Sequence, residues 1–466
     1  MNDNRGKNLA KGTVVYAIGT LSSRVLSFLI VPLYTYYILP SDLGTYDLLH
    51  STVGLLTPII SLQIADAAFV WMVQGKESNE RCISAVYKYL GCMSVVTAVV
   101  AVIVNYFWNI PYCGYFIAML LSNRWMATLQ KLLRGLKKQK LFALSGVIYT
   151  FVFLSLNLIQ IVGLKMGVVS LFQSSIAANL VVIAVMLINQ KELRSIGFRQ
   201  KVWKLQKELL KFSIPVVPNQ LNWWVVNSSD RYIVKFFLGS AANGVYSIAY
   251  KFPSVLQMLF QIFYQSWQDS ALGEKNEDGG VFYTKIFKLY YCLGFTILLP
   301  LMPFTKIFIE LVMNSNYHDA SKYISFLYLG TVFQAFSNFM GVGYLKNGKT
   351  GQASYTTVFG AVVNIAVNIA FIQLIGLHAA SISTFLSFLV VFLVRVHQTK
   401  DSMQIRIEWR EFMTLFIMAL SMGIVVIFSN MLVDSILTLI GAVFFVVFNW
   451  DTIKMALNKF KTRIAH

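Results

Sequence analysis

Apolar residues run along this chain in blocks of twenty or more, separated by short polar or charged turns. A helix needs about 20 apolar residues to cross the hydrocarbon core of a bilayer, and by that rule the blocks predict about fourteen spanning helices. They lie near 12–38, 43–73, 82–107, 113–134, 141–164, 167–190, 208–238, 242–270, 282–312, 320–345, 351–374, 378–399, 411–432 and 436–456. The first block is too long for a signal-peptide apolar region and has no small-residue cleavage site, so it reads as a retained span. Composition agrees. Only 13% of residues are charged and 57% are hydrophobic, with a mean hydropathy of +0.63, whereas soluble chains carry about a quarter charged residues.

The charge pattern tests the same count independently. With the N-terminus in the cytoplasm and each span reversing direction, the inward turns and both termini collect most of the 39 Lys and Arg residues. Lys137, Lys138 and Lys140 form one such turn, and Lys191, Arg194, Arg199, Lys201, Lys204 and Lys207 form another. The outward turns at 40–42, 108–112, 239–243, 377–378 and 432–435 hold none, and Lys165 is the clear exception. Positive-inside topology predicts this asymmetry, and a missed span would invert it downstream. The net charge of +19 therefore reports membrane orientation, and nucleic acid is not an expected partner.

Two internal matches divide the chain. Leu39 to Tyr46 (LPSDLGTY) recurs as Leu238 to Tyr246 (LGSAANGVY), each at an outward turn. Gln139 opens a span that closes on Gln160-Ile-Val-Gly-Leu164, and Gln352 opens one that closes on Gln373-Leu-Ile-Gly-Leu377, with the same spacing in each. The expected organisation is all-α. Residues 1–190 form a six-helix lobe, 191–207 a basic cytoplasmic linker, 208–399 a second six-helix lobe in the same orientation, and 400–466 two further helices with a cytoplasmic tail. Parallel six-helix repeats are a transporter plan, with the substrate site between the halves. Prolines at 32, 58, 215, 218, 253, 300 and 303 fall in spans 1, 2, 7, 8 and 9. They bend helices that line a moving cavity, or are ordinary membrane kinks.

Ionisable groups at membrane depth are expensive and tend to face a cavity or a partner. Here they are mostly cationic: Arg24, Arg124, Arg231, Lys235 and Lys251, with His50 one position from the repeat-equivalent of Lys251. Such groups suit a phosphate or pyrophosphate, arginine through paired donors. The alternatives are a structural Asp230–Arg231 pair and a snorkelling Lys235. Asp66 could bind a coupling ion or pair with a neighbouring cation. Glu310 has Lys306 one turn before it, so an i,i+4 pair is expected. Trp223 and Trp224, opposite Arg24 in the repeat, could stack on sugar rings or face lipid.

Gly343 to Thr350 (GYLKNGKT) satisfies the P-loop pattern, but it joins two membrane spans instead of following a buried strand, so it reads as a basic inward turn and ATP is not expected. Four scattered cysteines and five dispersed histidines give no metal or disulfide framework, and no cofactor is expected.

The segment from Ile214-Pro-Val-Val-Pro218 through Trp223-Trp224, Asn227-Ser-Ser-Asp-Arg-Tyr232, Leu238-Gly239, Gly244-Val-Tyr246 and Ala249-Tyr-Lys251 resembles helices seven and eight of bacterial polysaccharide-repeat-unit flippases. Those belong to the multidrug/oligosaccharidyl-lipid/polysaccharide exporter superfamily. Leu39 with Gly44-Thr-Tyr46, and Tyr317–Ala320 with Lys322-Tyr323, are similar to that family too. The resemblance implies two lobes in a V around a cavity lined by helices 1, 2, 7 and 8, in the bacterial inner membrane, with an undecaprenyl-pyrophosphate-linked oligosaccharide as cargo. Arg24, Arg231, Lys251, Arg124 and His50 would hold the pyrophosphate. Trp223 and Trp224 are the candidates for sugar stacking and Asp66 is the candidate for ion coupling, with the lipid-facing and cation-paired alternatives open. A polysaccharide polymerase and a chain-length regulator are candidate partners. Ser22-Ser-Arg24-Val-Leu-Ser-Phe28 is similar to the first helix of lipid II flippases, which keeps that reading open, and the multidrug branch is a further alternative.

Overall fold

The computed structural model describes residues 28, 30–194, 201–273, 279–346 and 350–454, and every regular element among them is a helix. The first half of the chain forms α1 (Val31–Tyr37), α2 (Pro40–Ser61), α3 (Ile64–Gln74), α4 (Asn79–Trp108), α5 (Cys113–Gly135), α6 (Gln139–Leu158, closed by a π turn) and α7 (Val169–Asn189). It continues as α8 (Trp203–Ser213), α9 (Val217–Gly273), α10 (Gly279–Thr296), α11 (Leu298–Val312), α12 (Ile324–Lys346), α13 (Thr350–Ile375), α14 (Leu377–Gln398), α15 (Trp409–Phe428) and α16 (Met431–Phe448).

Among the described residues, 8 stretches are long and apolar enough to cross a membrane unaided, or 9 when α2 and α3 count as one bent span. The other expected spans are helices as well, but more polar ones. Helix α5 carries Arg124, Lys131 and Arg134, and α9 carries Asp230, Arg231, Lys235 and Lys251. The expected first span lies mostly outside the described residues, and so does Arg24.

The breaks have local causes. The predicted span 43–73 is bent by 58° at Leu62 and Gln63, two consecutive non-glycine residues with φ of 43° and 55°. Left-handed backbone at a residue with a Cβ costs about 1–2 kcal/mol, so the packing of α2 and α3 must hold the bend. The predicted outward turn at 239–243 contracts to one non-helical residue, Gly239, at φ 87° and ψ 176°, a conformation open to glycine alone. Ser78 and Asn430 cap α4 and α16, accepting from the backbone N–H of Arg81 and Val433.

The described residues fall into two compact units, up to Val225 and from Val226 onward. In the first, α5 and α6 both pack on α7; in the second, α12 and α13 both pack on α14. The fourth, fifth and sixth helices of each repeat thus meet in the same pairwise pattern, which gives the sequence repeat a structural counterpart. Helix α8 belongs to the first unit. Leu205 and Leu209 enter a cluster with Ile83, Val86, Leu133 and Leu193, while Lys204, Lys207 and Lys211 on its other face are exposed. The second unit is centred on rings: Phe287, Phe295, Phe333, Phe336, Phe392 and Phe412 meet mostly edge-to-face or tilted, each such pair contributing about 0.5–1.5 kcal/mol beyond area burial.

The last two helices are tied to this unit by close approach. A Cβ at Gly441 of α16 would stand 2.7 Å from backbone atoms of Leu299 and Pro300 in α11. Backbone cannot rotate away as a side chain can. Gly441→Ala is therefore expected to destabilise the protein by about 1–3 kcal/mol, read as a lowered unfolding temperature in detergent.

Candidate functional site

The segment Asn227 to Tyr232 places several polar groups on the inner face of α9 in the second unit. Asp230 is 2% exposed. One carboxylate oxygen accepts the backbone N–H of Arg231 at 2.9 Å, and the other accepts the phenol O–H of Tyr246. The Arg231 guanidinium lies 3.7 Å from Asp230, donates to the Asn227 carbonyl at 2.9 Å and sits 5.0 Å from the centre of the Tyr250 ring. The structural pairing of Asp230 with Arg231 is therefore present. The guanidinium is fixed by a carboxylate, a carbonyl and a ring face.

Neutral oxygens extend this cluster beyond what the sequence pattern singled out. Ser229 donates to the Asn364 amide oxygen at 3.3 Å, whose amide nitrogen stands 3.5 Å from Ser383 and from Thr384. Gln334 donates to Asn227 at 3.1 Å and accepts from Gln257 at 2.6 Å. One turn along α13 from Asn364, the Asn368 amide is fully buried, and neither of its polar atoms has a hydrogen-bond partner among the described residues. Buried amides are almost always satisfied. A buried carboxylate beside amide and hydroxyl oxygens is a donor set for a proton or a hard monovalent cation. No group of three or more His, Cys, Asp or Glu residues is placed to hold a metal among the described residues. The signal that could have found the cluster is the pair Asn364 and Asn368, on one face of an otherwise apolar span.

In the first unit the candidate residues are dispersed. Arg124 is 1% exposed. Its guanidinium contacts the Leu90 carbonyl and Ser94 of α4, while Nε and Nη1 have no partner among the described residues. It is enclosed by protein in this conformation. Asp66 of α3 pairs with Lys131 of α5, the cation-paired alternative of the two readings of that carboxylate. His50 is exposed on α2, its ring 5.9 Å from that of Tyr46. Trp224 is anchored through its indole N–H to the Ser51 carbonyl at 2.9 Å, and its ring lies against Gly54. Trp223 is half-buried and Lys251 is exposed.

One expectation is corrected. Lys306 does not pair with Glu310 one turn away but with Asp434 of α16, at 3.2 Å. It also donates to the carbonyls of Val426 and Ser429, both at the end of α15. Asp434 is fully buried within the first turn of α16, not in an outward turn. The bundle interior offers Lys306 a desolvated carboxylate, while Glu310 is only half-buried. The 317–323 motif builds a 3-10 turn, in which Tyr317 is buried and Lys322 pairs with Asp319 at 2.7 Å. Gly343 to Lys346 form the last turn of α12 and are not preceded by a strand.

A bundle of helices in two units, eight of whose stretches are long and apolar enough to cross a membrane among the described residues, defines a polytopic membrane fold. Residues 9–267 match the family described as "Polysaccharide biosynthesis protein", and the chain belongs to that family. No curated protein matches it. Among solved structures it is similar to the lipid II flippase MurJ in an inward closed conformation, at 14% identity and a TM-score of 0.70, covering 95% of this chain and 100% of that one. It is also similar to an inward-facing multidrug resistance MATE family transporter of the MOP superfamily, at 14% identity and a TM-score of 0.66, covering 82% and 96%. An outward-facing MATE family transporter gives 15% identity and a TM-score of 0.57, covering 84% and 96%. At these identities the likeness concerns the fold. The chain is a multi-pass membrane protein with a fold shared by flippases and exporters.

Proposed function

We propose that this protein flips a lipid-linked oligosaccharide, carried on undecaprenyl pyrophosphate, from the cytoplasmic to the outer leaflet of a bacterial inner membrane for surface polysaccharide synthesis. Both termini face the cytoplasm, and the two repeats alternate access. The observation that carries this reading is membership of a polysaccharide biosynthesis family by a chain that has a transporter fold. Arg24, Arg231 and Lys251, with His50, hold the pyrophosphate; Arg124 joins them only if its surroundings open. Trp223 contributes to sugar stacking, while Trp224 is more constrained by Ser51. Coupling to an ion gradient is assigned to Asp230 and its amide neighbours in preference to Asp66, which is committed to Lys131. A polymerase and a chain-length regulator would receive the flipped cargo.

Lipid II is the second cargo reading, favoured by the TM-score of 0.70 over 95% of the chain. Export of organic cations is disfavoured by the basic character of the candidate residues.

The test is mass spectrometry of undecaprenyl-linked lipids in cells depleted of the protein. Accumulation of a lipid-linked oligosaccharide, with surface polysaccharide lost, is the expected result. Accumulated lipid II would move the cargo to cell-wall synthesis, and an unchanged pool of both would overturn flipping of either.

A further inference from the structure

The first unit carries a cavity of about 960 Å³ between α4, α5 and α7. Its wall is almost wholly apolar. Its charged members are Lys88 of α4 and Arg194; Arg194 lies at the α7 C-terminal end, where it donates to the carbonyls of Leu187 and Ile188. Those bonds occupy two of the five guanidinium N–H groups, and the Arg194 side chain is exposed. Along the wall, from Leu129 to Ala118, α5 runs eleven residues, roughly 16 Å at the helical rise, about half of a hydrocarbon core of ~30 Å. There the cavity meets a second hollow, of about 660 Å³, which shares Ala118, Ile176 and Leu180 and has no charged residue in its lining.

Leu180 of the wall is 54% exposed, so the cavity opens on the apolar outer face of α7, which in a bilayer meets lipid. An occupant must therefore be apolar along one leaflet and anionic at one end. We propose that this groove binds one anionic phospholipid of the bilayer, its acyl chain along α5 and α7 and its phosphate at Lys88 and Arg194. Gly91 belongs to the wall, and a Cβ there would meet nothing within 4 Å. A side chain at this position fills the groove without displacing protein, which supplies a clean test.

Purified full-length protein would be examined by native mass spectrometry, with dioleoylphosphatidylglycerol or dioleoylphosphatidylcholine added at equal concentration. The wild type is expected to retain one phosphatidylglycerol in several-fold preference to phosphatidylcholine. Gly91→Phe should lose both lipids. Lys88→Gln, which spares the α7 cap, should lose the preference several-fold, and Lys88→Gln with Arg194→Gln should abolish it; unfolding temperatures confirm that each variant is folded. Equal retention of the two lipids by the wild type would overturn the proposal, as would unchanged binding in folded Gly91→Phe. Displacement of phosphatidylglycerol by an equimolar amount of undecaprenyl phosphate would overturn it too, because the groove would then belong to a prenyl chain.

Discussion

Arg231→Ala is expected to abolish surface polysaccharide export while the chain still reaches the membrane. The guanidinium lies 3.7 Å from Asp230, and Asp230 is almost fully buried. Removing one partner of a buried pair costs about 3–5 kcal/mol, because the remaining charge stays desolvated. Tyr246 still donates to the carboxylate, which moderates the loss. Two further variants separate folding from function. Asp230→Asn combined with Arg231→Ala removes both charges and should recover most of the unfolding temperature without recovering export. Arg231→Lys keeps the charge but loses the planar fork that binds phosphate oxygens in pairs, so its export should fall between that of the wild type and that of Arg231→Ala. Surface polysaccharide and the lipid-linked pool are the readouts, with membrane protein level as the control. Full export by Arg231→Ala would remove Arg231 from any role in holding the cargo.

The second large effect falls on stability. Lys306→Met leaves Asp434, with no exposed surface, facing a neutral thioether in place of an ammonium. By the same reasoning the cost is about 3–5 kcal/mol. The substitution also removes the hydrogen bonds to the carbonyls of Val426 and Ser429, so the end of α15 should loosen with α16. Lys306→Met combined with Asp434→Leu should restore most of the loss, since well-packed apolar replacements of a buried pair are often neutral. Thermal unfolding in detergent measures both. A single variant as stable as the wild type would show that the pair contributes nothing.

The spans were legible because crossing a bilayer imposes a length and an apolarity that few other structures demand. The turn at Gly239 was legible because only glycine suits that backbone. The bend at Leu62 and Gln63 was not, since neither residue advertises left-handed backbone and tertiary packing holds it. Charge pairing was legible only where partners are near in sequence. Asp230 and Arg231 are adjacent, whereas Asp66 finds Lys131 on another helix and Lys306 passes over Glu310 for Asp434. The amide cluster around Asn364 and Asn368 was not legible because an amide carries no formal charge, although leaving one unsatisfied in an apolar span still costs roughly 2–7 kcal/mol.

Lys306 also sets an order of events during synthesis. It enters the bilayer with α11 while the carbonyl of Val426 lies 120 residues away in chain still to be made, and Asp434 follows later still. At about 5–20 residues per second, that interval is on the order of ten seconds. Throughout it a lone ammonium must snorkel or sit against the ring-lined interior, at about 2.5–3.5 kcal/mol by insertion scales. Arrival of α16 ends that interval. The last two helices are thus the counterpart that α11 awaits: until they are made, the Lys306 ammonium lacks both the carbonyls and the carboxylate that hold it in the finished chain.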